Sequence, residues 1–322
     1  MKHLKLNAIS MALAASLIAP VAMAENTVYG KGHVSIASIE DATGSAVAVT
    51  SHASRFGVKG SVKQDSSAEV IYKLEWQVDM ADKADSTQIK ARSQYIGLKD
   101  SWGEVRLGRD DSPYKGAGKK AVEFFSDTFA DYNNIIDKGQ DIRADNALSI
   151  KLNAGPGKVS LMYAAGDDTT AGDNLADMTS IAYDARFGAI TLGLATQTVN
   201  KSLTNDETGT KLALGYKISD TTQLGFVYET VSDDTTAGFD DKNTLISFKH
   251  KMEEDAIKLA YGFKDQGLAS DATMLAVAYD HKINKTTTAY ALYADGSDNG
   301  LNDASKLAGD SSVIATGLVV KF

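Results

Sequence analysis

Between Val70 and Met80 every second residue is apolar: Val70, Tyr72, Leu74, Trp76, Val78 and Met80. The residues between them are Ile71, Lys73, Glu75, Gln77 and Asp79. A period of two sorts these sets onto opposite faces of an extended strand, whereas a helix would mix them. The same period recurs in Val159-x-Leu161-x-Tyr163, Leu212-x-Leu214-x-Tyr216-x-Ile218, Ile257-x-Leu259-x-Tyr261-x-Phe263 and Leu275-x-Val277-x-Tyr279. No window of similar length has a strong helical period. The chain reads as all-β, with 16 strands at 27–39, 53–64, 67–80, 87–99, 102–110, 145–153, 158–166, 177–187, 189–200, 208–218, 222–232, 243–251, 255–264, 272–282, 286–294 and 312–322.

A strand with one apolar and one charged face suits two settings. In a soluble sandwich the apolar face meets a second sheet. In a membrane barrel it meets lipid, and the polar face lines water. The connections separate the two. Short ones, such as Gln64-Asp65-Ser66, Asp100-Ser101, Phe187-Gly188 and Met252 to Glu254, alternate with longer ones. The longer set includes Glu40 to His52, Ala81 to Ser86, Asp111 to Ala144, Gly166 to Ala176, Lys201 to Glu207 and Asp295 to Ser311. A barrel with short turns at one end sorts its loops this way. Hydrocarbon leaves an open edge unpaired, so such a sheet must close. About 16 strands leave room for an aqueous channel. Tyr72, Tyr95, Tyr163, Tyr183, Tyr216, Tyr228, Tyr261, Tyr279 and Tyr290 are candidates for aromatic girdles at the headgroup level.

Residues 1–24 read as a secretory leader. Lys2 and Lys5 precede a short apolar stretch, Leu13 to Pro20, and Ala22-Met23-Ala24 is a small-x-small cleavage signal. The expected mature domain is 25–322. The leader carries two lysines and no acid, so the formal charge moves from −9 to −11 on its removal. That acidity argues against nucleic acid as a partner. There is no cysteine, hence no disulfide framework.

The run 111–144 shows no convincing alternation and is too long for an idle loop. It mixes acids (Glu123, Asp127, Asp131, Asp137, Asp141) with aromatics (Tyr114, Phe124, Phe125, Phe129, Tyr132). One side packed on a wall and the other facing ions would explain that mixture. The expectation is a loop folded into the lumen.

Val28-Tyr29-Gly30-Lys31-Gly32, Ser54-Arg55-Phe56-Gly57-Val58-Lys59-Gly60, Ala91 to Lys99, Trp102 to Arg109, Arg143 to Ser149 and the terminal Phe322 stand out as motifs. Together they resemble the general porins of Gram-negative bacteria. The resemblance implies a 16-stranded antiparallel transmembrane β-barrel whose third extracellular loop folds inward. It also implies an outer-membrane location among lipid and lipopolysaccharide, a homotrimer, and passage of small hydrophilic solutes and ions. Phe322 would be read by the barrel-assembly machinery. Carried over by position, Arg55, Arg92, Arg143 and Lys31 match bases of the pore wall. Glu123 and Asp127 match acids of the loop. Lys119 and Lys120 depart from the family pattern and could offset those acids.

Parity supports part of this. Arg55, Gly57 and Lys59 share one face of their strand, and Lys90, Arg92 and Gln94 share another, with Ala91, Ser93 and Tyr95 opposite. A charge facing lipid near the midplane would cost about 2–4 kcal/mol, so the bases point inward. The net charge and the many loop aspartates predict mild cation selectivity.

No enzyme or cofactor pattern appears. His33, His52, His250 and His281 lack metal-ligand spacing. Asp295-x-x-Asp298-Asn299-Gly300 begins like a calcium loop but has Lys306 at the twelfth position. The rivals are a substrate-selective channel of the same fold, a secreted β-sandwich and an outer-membrane enzyme.

Overall fold

The computed structural model describes residues 24–63, 68–81, 88–136, 139–166, 176–202, 205–234, 240–267, 270–301 and 307–322. The expected leader before Ala24, the turn 64–66, most of 81–86 and 167–175, Asp137 and Lys306 lie outside them.

The strands are β1 (Ala24–Asp41), β2 (Gly44–Ser51), β3 (Arg55–Lys63), β4 (Glu69–Val78), β5 (Ile89–Asp100), β6 (Gly103–Asp111), β7 (Arg143–Ala154), β8 (Gly157–Ala165), β9 (Ala176–Phe187), β10 (Ile190–Ser202), β11 (Asn205–Lys217), β12 (Thr222–Asp233), β13 (Asp240–Met252), β14 (Asp255–Asp265), β15 (Ala272–Lys282), β16 (Thr287–Ser297) and β17 (Ser311–Lys321). Every pairing is antiparallel between neighbours, and β1 pairs with β17. Both β2 and β3 pair with β1, so they form one wall strand interrupted at His52–Ser54. The wall is therefore a closed barrel of 16 strands. The closing seam is an antiparallel ladder running from Lys31 opposite Lys321 to Glu40 opposite Ser312, and two further backbone bonds extend it: Gly30 donates to the Phe322 carbonyl at 2.8 Å, and Phe322 donates back to Gly30 at 3.1 Å. Closure leaves no edge to be satisfied in hydrocarbon.

Faces follow the pleat. Leu107, Ile246, Leu275 and Ile314 lie exposed on the outer wall, as do Tyr163, Tyr216, Tyr261 and Tyr279. In a soluble protein such exposure would be a liability; against lipid it is the stable arrangement. Among the described residues no helix is long and apolar enough to cross a membrane.

Three expectations fail, each for a local reason. The stretch Glu40 to His52 is not a long connection, because β1 runs on to Asp41 and β2 starts at Gly44. Its Ala-Val-Ala-Val alternation belongs to a hairpin whose Val47 and Val49 face outward. Likewise β10 and β11 extend to Ser202 and Asn205 across the expected loop 201–207. Tyr95 and Tyr290 are not girdle residues. Tyr290 is 6% exposed and bonds His33 inside the wall. Tyr95 lines the lumen because the β4–β5 ladder shifts register between Leu74 and Trp76. That bulge adds one residue and reverses the parity after Arg92, so Arg92 and Tyr95 both reach inward.

Candidate pore constriction

The connection between β6 and β7 folds into the barrel. It opens with a helical turn, α1 (Pro113–Gly116), capped by Ser112, whose hydroxyl accepts from the Lys115 amide at 3.1 Å. A second turn, α2 (Lys119–Val122), and a 3₁₀ turn at Tyr132–Asn134 follow. One side of this loop is a small hydrophobic core. Val122, Phe125, Phe129, Tyr132, Ile135 and Ile136 pack on Ala213, Val227, Leu245, Ala260, Met274 and Ala276 of the wall. The wall yields space for it. A Cβ on Gly193 would lie 2.3 Å from the Gly118 nitrogen, and one on Gly215 would lie 2.4 Å from the Ala121 Cβ. Only glycine permits that approach.

Buried polar contacts fix the docking. The Tyr114 hydroxyl donates to Glu229 at 2.7 Å, and Asn243 donates to the other oxygen of that carboxylate at 2.7 Å. The Gly118 amide donates to Asp184 at 2.7 Å. Within the loop, Asp141 takes Lys115 at 2.7 Å and Lys119 at 3.3 Å, and accepts from the Tyr132 hydroxyl. Removing the Tyr114 hydroxyl leaves a buried carboxylate short of a donor, a cost of about 1–3 kcal/mol. Tyr114→Phe is therefore expected to increase cleavage of the loop by added protease, read on an otherwise intact barrel.

The six sequence-derived residues separate into groups. Lys31 on β1 and Arg55 on β3 both hold Asp127, at 2.7 and 2.8 Å. Asp127 has φ 56, a left-handed turn that aims its carboxylate at the wall. Burial raises its pKa, but Arg55 and Lys31 outweigh that and hold it at about 2. Arg92 lies beyond this triad, bonded to Glu75 at 2.7 Å and Gln77 at 3.0 Å. Arg143 pairs with Asp111 at 2.7 Å. Glu123 is placed apart from them. Its side chain is 5% exposed, 3.7 Å from Lys119. Burial and then Asp131 push its pKa well above the ordinary carboxylate range, against the pull of Lys119. Lys119 therefore offsets the loop's buried acids and not Asp127, while Lys120 is exposed.

Sequence reasoning passed over several lumen groups. Tyr29 donates to Glu75 at 2.7 Å, and Arg106 bridges Glu104 and Asp110 while stacking 4.3 Å from the Tyr95 ring. Their signal was the polar face of alternating strands, already visible in Lys73 and Glu75. On the short-turn side of the loop lies a cavity of about 1120 Å³. Its lining carries nine basic and five acidic side chains, so the wetted half of the lumen is net positive. Among the described residues no group of three His, Cys, Asp or Glu could hold a metal ion.

A closed 16-stranded barrel with a lipid-suited outside, a charged lumen and an inserted loop is an outer-membrane channel. The chain belongs to the Gram-negative porin family, whose model matches residues 10–301. Its place is the bacterial outer membrane, with the short turns periplasmic. The fold is similar to the anion-selective porin from Comamonas acidovorans, at 20% identity and a TM-score of 0.75, covering 93% of this chain and 100% of that one. It is also similar to OmpT of Vibrio cholerae, at 16% identity and a TM-score of 0.68, covering 93% and 98%. A mutant porin of Rh. blastica matches at 14% identity and a TM-score of 0.69, covering 92% and 100%. At these identities the likenesses show the fold alone. No curated protein matches the sequence.

Proposed function

We propose that this porin is a diffusion channel for small hydrophilic solutes and ions, and that its constriction prefers anions. Lys31, Arg55, Arg92 and Arg143 form the basic wall, and the loop docked opposite narrows the passage. Glu123 serves the interior of the loop, and Asp127 ties the loop to the wall. The net −11 of residues 25–322 argues for cations. The lumen carries a different balance, and it is the local lining that acts on a passing ion. The observation that carries the reading is the nine-to-five excess of bases around the cavity. The four wall bases are paired with three acids, Asp127 with Lys31 and Arg55, Glu75 with Arg92 and Asp111 with Arg143, so the wall keeps an excess of one base, and Glu123 is buried within the loop.

In a KCl gradient across a planar bilayer, the reversal potential is expected on the chloride side. A reversal potential on the potassium side would overturn the anion preference and leave the channel itself standing. We also propose a homotrimer, as in the trimer form of Vibrio cholerae OmpT, and recognition of Phe322 by the assembly machinery. Phe322 is 71% exposed at the end of the closing strand. A band of three times the chain mass that collapses on heating in detergent is the expected sign of the trimer.

A further inference from the structure

Charge is divided along the barrel axis. At the short-turn end, Lys59, Lys73, Lys99, Lys151, Lys158 and Arg186 reach the cavity, against Glu104, Asp184 and Glu75, the last 3.3 Å from Lys73, while Glu69 lies 3.9 Å from Lys99, so the bases stay in excess. At the other end the tips of β11, β12 and β13 bring acids together. Glu207 lies opposite Asp233, and the Asp234 amide donates to the Asp206 carbonyl. Asp240 and Asp241 pair in register with Ser232 and Val231. The bases at these tips are Lys201, Lys242 and Lys264, of which Lys201 is 3.2 Å from Glu207 and Lys264 is 3.6 Å from Asp241. β11 has 13 residues. At ~3.4 Å per residue and a tilt of ~40°, the two zones lie roughly 30 Å apart along the axis.

We propose that this axial division makes the pore an ionic rectifier. The acidic mouth enriches cations and the basic vestibule enriches anions. With the long-connection side positive, cations enter through the acidic mouth while anions enter through the basic vestibule. Both accumulate in the pore and the conductance rises. With the opposite polarity both species are drawn out of the zones that hold them, and the pore is depleted. The inference rests on the channel reading and not on the sign of its overall selectivity.

The test is single-channel current at equal and opposite voltages in symmetric KCl. Orientation is fixed with Thr43→Cys on the exposed β1–β2 turn, since the chain has no other cysteine. The thiol carries a biotin maleimide, and streptavidin is added to one compartment. At 0.01 M salt, where the Debye length is about 30 Å, the current is expected to be about two-fold larger with the long-connection side positive. At 1 M, where the Debye length is about 3 Å, the ratio should fall to about one. Equal currents at low salt, or a larger current of the opposite polarity, overturn the proposal. Lys158→Gln with Arg186→Gln should bring the low-salt ratio toward one; an unchanged ratio also overturns it. Should that variant fail to assemble, the salt series on the unaltered chain still decides. Chloride preference with equal currents sinks rectification alone, and rectification with a potassium-side reversal potential sinks anion preference alone.

Discussion

The Asp127→Asn channel is expected to be more anion-selective than the unaltered protein, and its loop less firmly held. Asp127 is the carboxylate clasped by both Lys31 and Arg55, and its side chain is 17% exposed. The amide leaves two cations facing the same water without their counter-charge. Removing one partner of a buried ion pair costs about 3–5 kcal/mol. Partial exposure here screens the pair, so about 1–3 kcal/mol is expected. The measurements are the reversal potential in a KCl gradient and protease cleavage between Glu123 and Ile136. An unchanged reversal potential would mean that Asp127 does not border the passage. Glu123→Gln is the contrast. Its carboxylate is buried in the loop and its pKa is raised, so neutralising it should leave the reversal potential where it was.

Acid should act on the same tether. Asp127 titrates lower in the folded barrel than in the unfolded chain, its folded value lying at about 2. The stabilisation is then fully present above the ordinary aspartate value and is lost as pH falls through about 2. The loop is expected to resist protease at mildly acidic pH and to loosen progressively as pH falls from the ordinary aspartate value, about 4, toward about 2.

The second large effect is steric. Gly193→Val should prevent the loop from seating. A Cβ there meets the Gly118 nitrogen at 2.3 Å and the Ala117 carbonyl carbon at 2.7 Å, and backbone cannot swing aside as a side-chain tip can. Overpacking of a close-packed contact costs about 1–3 kcal/mol, comparable to the loop's own anchoring bonds. Single-channel conductance is expected to rise as the loop leaves its seat, with the barrel still closed. Gly116→Ala is the matched control, because nothing lies within 4 Å of its Cβ. A Gly193→Val channel of unchanged conductance would show that the docked loop does not set the width of the passage.

Much of the barrel was legible because lipid demands a strict period. β3 and β4 could be read residue by residue, down to Phe56 outside and Arg55 inside. Legibility failed where both faces met similar chemistry. On β5 the bulge beside Glu75 shifts the parity, and neither Gln94 nor Tyr95 announces it in the sequence. Tyr290 looked like a headgroup residue because a tyrosine inside a wall needs a partner, and that partner, His33, is 257 residues away. The loop's position in the lumen was readable from its length and composition, while the burial of Glu123 was not. That burial comes from the way the loop folds back on itself and brings Lys119 to 3.7 Å from the carboxylate, and local sequence carries no sign of the turn.

The loop docks along one side only, and this divides the barrel's interior into two materials. From β11 to β17 the mid-height wall behaves as a protein core, with Ala213, Val227, Leu245, Met274 and Ala276 sealed under the loop. From β3 to β6 it behaves as a solvated surface, while Ala147 on β7 and Met162 and Ala164 on β8 form a separate buried cluster against which Ile142 packs. Substitutions should therefore sort by hemisphere. Volume changes on the sealed side ought to be read in stability and assembly, as in a soluble domain. Charge changes on the wet side, apart from the Arg55 clasp on Asp127, ought to be read mainly in current, so the conduction of this pore can diverge with its fold little disturbed.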